Sequence, residues 1–515
     1  MKKLFYIAVT LFFSNLNNIY TQTNNSKYDN AWILGYEYSS PIRYDSGVKL
    51  SFDGDTAKID TFYMFASLGE TNASICDRHG NLQFYTEGIR LFNKAHDLMP
   101  HGDTLCPGGI YEYIKNDFFG IDKVQGAIFL PFSSDSSIYK LFHLELALHN
   151  ISPVFGHKLY CTTLDSKLNN GLGAIITKSK LVIQDSLTRN CITACRHANG
   201  KDWWLLIPGI YNHKYHKVLM TQDSMYHSVQ VIGSLPNKGG QGQACFSPNG
   251  CYYALYQTTY DRVNSQLCIY NFNRTTGGLS NPIQIPVLDS SYLGGVAISP
   301  NSRFLYASSL FFVYQFDLWA SDVAASKITV ATYDGFIDPL WWGGGTAFMT
   351  AQLAPDGKIY ISTPGSTHYI HVIEYPDRLG LACELRQHTI RIPRYYASAM
   401  PNFPNYRLGA LQASDSCPSL ISASSDAPAE APLGLVVQPN PTTDLLHIAY
   451  YTENTTAISV AISDYTGKKL QTLSLDSAIG SLDINTSALP NGLYLCTLYD
   501  SATHRQQSVK FVVMR

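Results

Sequence analysis

The sequence predicts an all-β protein in two units: a β-propeller of about seven blades, then a small immunoglobulin-like β-sandwich. Three observations carry this. A strand–turn–strand signature recurs between residues 74 and 363 of the 515-residue chain. Apolar residues alternate with period two through the C-terminal residues. Between these regions lies a stretch rich in Ala, Ser, Pro and Asp. Alternation bounded by Gly, Pro and Asn turns marks half-buried strands, and a hairpin repeating every ~45–50 residues marks propeller blades.

Taken in order, the chain begins with Lys2 and Lys3 before the apolar run Leu4 to Phe13. That run is too short to cross a bilayer and has the form of a cleavable export signal, expected over residues 1–21. The first cysteine is Cys76, so no lipoprotein-type cut is expected, and no later apolar run is long enough to be a transmembrane segment. The repeats read SICDRHGNLQFYT (74–86), CRHANGKDWWLLI (195–207), ACFSPNGCYYALY (244–256), VAISPNSRFLYAS (296–308) and AQLAPDGKIYIST (351–363). Gly200, Gly250, Ser302 and Gly357 share one turn position, at steps of 50, 52 and 55 residues. From Gly80 to Gly200 is 120 residues, room for a divergent copy around Pro131 to Phe142. Trp32 to Gly35 and Ser398 to Tyr406 lack a tip of their own, and together are expected to form a seventh blade closing the ring. Gly-rich stretches at 239–242, 294–295 and 343–345 precede strands rather than helices. They fit crowded inner strands better than a phosphate cradle. The propeller is thus assigned to residues 28–410, and residues 411–432 to a flexible linker.

Residues 433–515 complete the chain. Leu446, Ile448 and Tyr450 alternate, as do Ile458, Val460 and Ile462 before the turn at 464–467. Tyr494, Cys496 and Leu498 follow Pro490-Asn491-Gly492, and Val509, Phe511 and Val513 close the series. The motifs QPNPTTDLLHI, ISDYTGKKL, LDINTSALPNGLYLCTL and the final KFVVMR, in this order, resemble the type A C-terminal sorting domain of the type IX secretion system. The resemblance implies export through the periplasm to the outer cell surface or the medium. Its implied partners are the type IX machinery and a sortase-like peptidase that cuts in the linker. The middle of the chain resembles WD-repeat-like or YVTN-like propellers of secreted proteins with such tails. The matching residues are 77–88 (DRHGNLQFYTEG), Leu91-Phe92-Asn93 through His96 to Met99-Pro100, and Pro401-Asn402-Phe403-Pro404-Asn405-Tyr406. That resemblance brings no catalytic residue with it.

Composition narrows the function. Charged residues make up 15% and the net charge is −2, so the chain carries no electrostatic footprint for nucleic acid. Eleven cysteines leave at least one unpaired. The export route permits disulfides, and the expected pairs are Cys383–Cys417, flanking the closing segment, and Cys245–Cys251, flanking a hairpin turn. Cys191 and Cys195 cannot pair on one strand, because four residues span about 13 Å against a limit of ~7 Å. With His197, His213 and His216 these two cysteines have loosely zinc-like spacing, but they straddle a hairpin, and no metal or cofactor is expected. Asp53-Gly54-Asp55 lacks the regular ligand series of a calcium loop. No G-x-S-x-G, H-E-x-x-H or P-loop occurs. Glu87 and Asp338 are candidate carboxylates for glycoside hydrolysis, which needs two acids facing one bond.

The remaining candidates are aromatic. Trp341-Trp342 precedes a Gly-rich strand start and Tyr395-Tyr396 precedes the closing segment; these four are the expected ligand-binding residues. Loops at blade ends carry function on rigid propellers, where aromatics stack on sugars or anchor protein partners. Packing between blades is the competing use of such side chains. The expected function is a secreted or surface binding propeller for a glycan or protein ligand. The alternatives are a propeller hydrolase or lyase acting on glycan or peptide, and a passive surface-layer component. Acids and histidines converging at the channel mouth would favour the enzyme.

Overall fold

The computed structural model of the chain describes residues 26–515 except 36–46, 55–56, 65, 107, 109–110, 113–122, 133–136, 150–151, 234–236, 238–240, 259–264, 288, 290, 341–344, 399, 413–414, 416, 422–433, 452–457, 477–478 and 502–504. The expected export signal and Trp341-Trp342 therefore lie outside the described residues.

Each sequence repeat folds as the first hairpin of a sheet. At the shared turn position Gly80, Gly200, Gly250, Ser302 and Gly357 all take positive φ, between 62° and 95°. Each donates its amide to the carbonyl three residues back, at 2.8–3.0 Å: Asp77, His197, Ser247, Ser299 and Ala354 in turn. Glycine enters that conformation without a Cβ penalty, which explains four of the five residues. The five tips are equivalent, as their spacing predicts.

Among the described residues, seven consecutive antiparallel sheets follow one another between residues 31 and 396, each with its strands side by side in chain order. Sheet one comprises Ala31–Leu34, Gly47–Ser51 and Lys58–Phe62; sheet two Ala73–Cys76, Leu82–Thr86 and Leu91–Asn93. Sheet three comprises Ala127–Pro131, Ile138–His149, Ser152–Asp165 and Ala174–Leu187; sheet four Thr193–Arg196, Trp203–Pro208, Lys214–Met220 and Met225–Val231. Sheet five comprises Gln243–Phe246, Tyr252–Gln257, Ser265–Asn273 and Gly278–Val287; sheet six Gly294–Ile298, Phe304–Ser309, Phe312–Asp317 and Ile328–Thr332. Sheet seven comprises Ala351–Leu353, Ile359–Ile361, Thr367–Ile373 and Leu385–Tyr396. The divergent copy is the first hairpin of sheet three, its turn falling outside the described residues. Sheet seven returns to sheet one: the Tyr360 ring lies 5.5 Å from Trp32 and 5.7 Å from Phe52. The first strands are as crowded as expected. A Cβ on Gly295 would meet Gln243 Oε1 at 2.5 Å and Thr350 Cα at 2.6 Å.

One expectation is corrected. Sheet one is built from its own local strands, and Ser398 to Tyr406 forms no strand. Pro401 and Pro404 lack the amides a ladder needs. This segment instead fills the centre of the ring. The buried Asn402 donates its backbone amide to Asn72 O (2.9 Å), just before sheet two, and Nδ2 to Ala127 O (2.9 Å) of sheet three and Ile192 O (3.0 Å), just before sheet four. Its Oδ1 accepts from Gln125 Nε2 at 3.0 Å, and Gln125 bonds both the amide and the carbonyl of Ala244 in sheet five. Gln243 continues the chain of contacts: Nε2 donates to Ala351 O of sheet seven, and Oε1 accepts from Val296 of sheet six and Ala351. Asn72 Nδ2 reaches Ile33 O of sheet one at 2.8 Å. Four buried carboxamide residues thus bond backbone groups in or just before each of these sheets, the second through the Asn402 backbone amide.

Beyond the centre the chain continues as a strap. Tyr406 OH donates to Phe129 O, and Arg407 grips both carboxylate oxygens of Asp29 at 2.6 Å. The expected flexible linker is docked as far as Leu420, which is buried against sheets five and six. The expected disulfides are corrected too. Cys251 pairs with Cys417, at a Cα separation of 5.3 Å, while Cys245 and Cys383 are free thiols. Spacing named both partners but could not join them, since the strap's path is set by the ring.

The C-terminal unit has two sheets facing one core. Gly434–Gln438, Leu445–Tyr451 and Ile479–Asn485 form one; Lys469–Leu475, Ile458–Asp464, Gly492–Asp500 and Arg505–Val513 form the other. Every alternating residue singled out from Leu446 to Val513 lies in or against this core. Gly467 closes the turn onto Asp464 O at 3.0 Å, as predicted.

Asn402→Ala is expected to destabilise the ring by roughly 3 kcal/mol or more, because buried carbonyls and Gln125 lose their partners together. Denaturant unfolding of the full chain measures this; a change below about 1 kcal/mol would show that Asn402 does not hold the centre.

Candidate functional site

Strands that meander outward place all the tip turns on one face and the connections between sheets on the other. The connection from sheet six to sheet seven carries the densest chemistry on that second face. Asp338, buried in it, is surrounded by donors. Its Oδ1 accepts from the Leu340 amide at 3.0 Å, and its Oδ2 from the His368 amide at 2.8 Å, His368 Nδ1 at 2.8 Å and Thr367 Oγ1 at 3.3 Å. Burial pushes the Asp338 carboxyl up, but the Leu340 and His368 amides and the imidazole outweigh it and hold it below the ordinary carboxylate range. His368 is itself 94% buried, and its ring is fixed with Nδ1 toward Asp338. Its Nε2 has no partner among the described residues.

An aromatic side chain flanks this imidazole. The half-buried Tyr395 lies with its ring 4.0 Å from His368 and its hydroxyl on Leu340 O at 2.6 Å. Ile337 and Leu340 are 55% and 54% exposed, high for residues of their kind. Beside them Phe336 stacks on His388 at 4.1 Å, Tyr369 meets Phe336 edge-on at 5.2 Å, and His388 Nε2 bonds Asp334 at 2.9 Å. The bulged strand Leu385–Tyr396 brings His388 over this group, its amide bonded to His371 Nδ1 at 2.9 Å.

Of the four aromatics singled out from sequence, Tyr395 is in this group. Tyr396, its neighbour on a strand, points the other way, as period two requires. It is fully buried, donating to Tyr369 O at 3.0 Å and accepting from the Thr363 amide at 3.1 Å. Trp341 and Trp342 follow Leu340 in sequence and lie outside the described residues. Asp338 entered the sequence reading only as a possible hydrolytic acid; His368, His388, Asp334 and Phe336 did not enter it. Asp334, Phe336 and Asp338 share one loop, but 30 residues separate Asp338 from His368 and 20 more separate His368 from His388, so no local motif joins them. The only local sign is the pair His368 and His371 on one strand.

The channel mouth on the tip face is different in kind. A cavity of about 140 Å³ lies there, between the tip prolines Pro248, Pro300 and Pro355 and the plug residues Asn405 and Arg407. Asp29, already held by Arg407, is its one carboxylate among the described lining residues, and no histidine lines it.

Other reactive-looking sets are neutralised by burial. Cys106 Sγ lies 3.3 Å from His143 Nδ1, but the thiol donates to Leu144 O at 2.9 Å. Burial pushes that thiol up and the His143 imidazole down to about 3, so both stay neutral and no thiolate forms. Cys191 and Cys195 lie in the core between sheets four and five. Two histidines of the zinc-like set are engaged elsewhere, His197 Nε2 with Thr275 O at 3.1 Å and His216 Nδ1 with His227 at 3.0 Å, while the buried His213 Nδ1 has no partner among the described residues. Glu87 is paired with Arg90 at 2.6 Å in sheet two's turn, a setting separate from that of Asp338.

Residues 436–514 match the secretion system C-terminal sorting domain. No curated protein matches the chain. Among solved structures it is similar to a putative 6-phosphogluconolactonase from Bacteroides fragilis, with 13% identity, 72% of this chain and 97% of that one covered, and a TM-score of 0.40. It is similar to PorZ, a surface component of the type IX secretion system of Porphyromonas gingivalis, with 12% identity, 92% and 75% covered, and a TM-score of 0.28. It is also similar to an exo-beta-1,3-galactanase from Phanerochaete chrysosporium, with 10% identity, 77% and 97% covered, and a TM-score of 0.30. The chain carries a type IX C-terminal sorting domain behind a propeller-like all-β unit, and the tail implies export to the cell surface or secretion.

The buried imidazoles set the acid stability. Burial lowers His143 to about 3 and His371 to about 4, below the ordinary value near 6.5. Below pH ~6.5 the unfolded chain therefore binds protons the folded chain refuses, until the folded values are reached. Stability is expected to be intact above pH ~6.5 and to fall toward pH 4 by up to about 1.4 kcal/mol per pH unit for each such histidine. Denaturant midpoints between pH 7.5 and 4.5 measure this, and a midpoint that rose on acidification would contradict it.

Proposed function

We propose that the protein is an exported binding propeller, secreted or held at the cell surface, that takes an extracellular glycan at the rim of sheet seven. One observation carries this reading: the Asp338–His368 pair, with Nε2 unpartnered among the described residues, set beside Tyr395 and Leu340. An imidazole whose Nδ1 is bonded to a carboxylate is fixed in direction and presents its other ring nitrogen to a ligand. Sugars offer hydroxyl donors for it and C–H faces for neighbouring aromatic and apolar side chains. A protein ligand is the other occupant such a surface suits.

The same pair also supports a second reading, because an Asp-held histidine is the usual form of a general base. A hydrolase or lyase would use His368 to take a proton. Asp338 is too fully bonded to serve as one of two facing carboxylates, and among the described residues no serine or cysteine is bonded to His368 Nε2. Binding is therefore the better-supported function.

Export follows the tail. The sorting domain directs the propeller from the periplasm through the type IX machinery, and a sortase-like peptidase removes it beyond the strap.

The exported protein, screened on glycan and peptide arrays, is expected to bind a glycan without releasing product. Tyr395→Ala and His368→Asn should each weaken binding about tenfold, the worth of one hydrogen bond or ring contact. Binding unchanged in both variants would remove the rim from the account, binding only to peptides would replace the ligand class, and released product would favour the enzyme. Deleting residues 433–515 should leave a folded propeller in the periplasm, measured by cell fractionation; normal levels in the medium would contradict sorting by this tail.

A further inference from the structure

The path from ring to sorting domain is fastened at several points beyond Arg407. The Arg274 guanidinium donates to Gly409 O, and the Leu411 amide to Ala198 O at 2.8 Å. Pro418 O accepts from Tyr252 OH at 3.0 Å and Asn271 Nδ2 at 2.9 Å, and the Leu420 amide donates to Asn271 Oδ1 at 2.8 Å. Leu420 is buried with Tyr252, Leu318 and Val323. Amid these contacts sits the Cys251–Cys417 disulfide, linking the tip turn of sheet five to the strap across 166 residues of sequence. One buried leucine and a few hydrogen bonds do not offset the chain entropy of ordering so many residues, whereas a covalent link removes most of that entropy from the competing states.

We propose that Cys251–Cys417 is a redox lock that fixes where the C-terminal unit leaves the propeller, and that its oxidation precedes export. In the closing step the two S–H bonds are lost and one S–S bond forms. Two electrons and two protons pass to the disulfide of a periplasmic thiol oxidant, which becomes a dithiol. Locked, the strap is fixed to sheets five and six through Leu420. Reduced, the tether to the sorting domain begins at Arg407, at the channel mouth, and is longer by the whole strap. The ring itself does not depend on the lock, because Asn402 and its partners lie before the strap and involve no cysteine.

The neighbouring thiols leave the lock undisturbed. A Cβ on Gly250, in the same tip turn, would meet Cys195 Sγ at 3.0 Å, so a free thiol stands beside the bond. Burial pushes Cys195 up to about 12 and raises Cys245 as well. The thiolate is the attacking species in exchange, so these thiols remain spectators.

The test uses the full chain. Alkylation after denaturation should count nine thiols in the periplasmic protein and eight in the exported protein, whose removed tail carries Cys496, rising to eleven and ten after reduction. Hydrogen exchange is then compared before and after a mild thiol reductant, and in C251S/C417S. The Leu411 and Leu420 amides should exchange at least tenfold faster without the bond, while the Asn402 amide stays protected. Ten thiols in the exported protein without added reductant, or unchanged exchange at Leu411 and Leu420 once reduced, would overturn the lock. Asn402 exchanging in step with Leu420 would also overturn it, by showing that the bond holds the ring itself. Eleven thiols in the periplasm with eight outside would overturn the proposed order. Reduction of the folded protein keeps the test open should the double variant not fold.

Discussion

A ring of sheets crowds its own axis with backbone groups that have no water to bond, and every one of them must find a partner. Here the partners are carboxamides. Asn402 carries a donor group and an acceptor on one short side chain, which satisfies carbonyls at sheets three and four and, through Gln125, reaches sheet five, while its backbone amide bonds Asn72 O beside sheet two. Gln243 does the same for sheets five, six and seven, and Asn72 for sheet one. No charged residue could do this as cheaply, because a buried charge costs far more to desolvate than an amide does. The ring closes by packing Tyr360 on Trp32 and Phe52, and the amides fix the spacing that lets this happen.

Filling the axis has a consequence for function. A plugged channel offers only a shallow mouth, where Arg407 and Asp29 already satisfy one another. Chemistry moves instead to the loops between sheets, on the face away from the tips. The connection into sheet seven is well placed, because Tyr396 fixes its last strand from inside while Tyr395 stands on the other side of the same strand. A rigid support under a partly exposed acceptor is what a binding site needs, since little order has to be imposed when a ligand arrives. The strap, as far as Leu420, is fastened to sheets five and six and not to this rim.

The sequence made legible whatever is local. The tip turns declared themselves because one position needs positive φ, and the strands of the C-terminal unit because burial on one face forces period two. The segment Pro401 to Tyr406 stood out as a motif, yet its role did not. Two prolines argued against a strand, but nothing in the spacing says that Asn402 faces Ala127, Ile192 and Gln125 at once. The disulfide failed in the same way, with Cys251 and Cys417 each assigned the wrong partner. The Asp338–His368 pair was hidden because its members come from a loop and a strand joined only by the fold. Tyr396 shows the converse, since alternation along its strand already parts it from Tyr395.

The claim on which the rest depends is that Asn402 and Gln125 act as one unit at the axis. A double-mutant cycle in the full chain, with Asn402→Ala, Gln125→Ala and both together, measures this directly by denaturant unfolding. The account predicts non-additivity of about 1–2 kcal/mol, because each single variant strands the other amide in a buried setting. Effects that add to within about 0.3–0.5 kcal/mol would contradict it, and would mean that the sheets are held together by their packing alone.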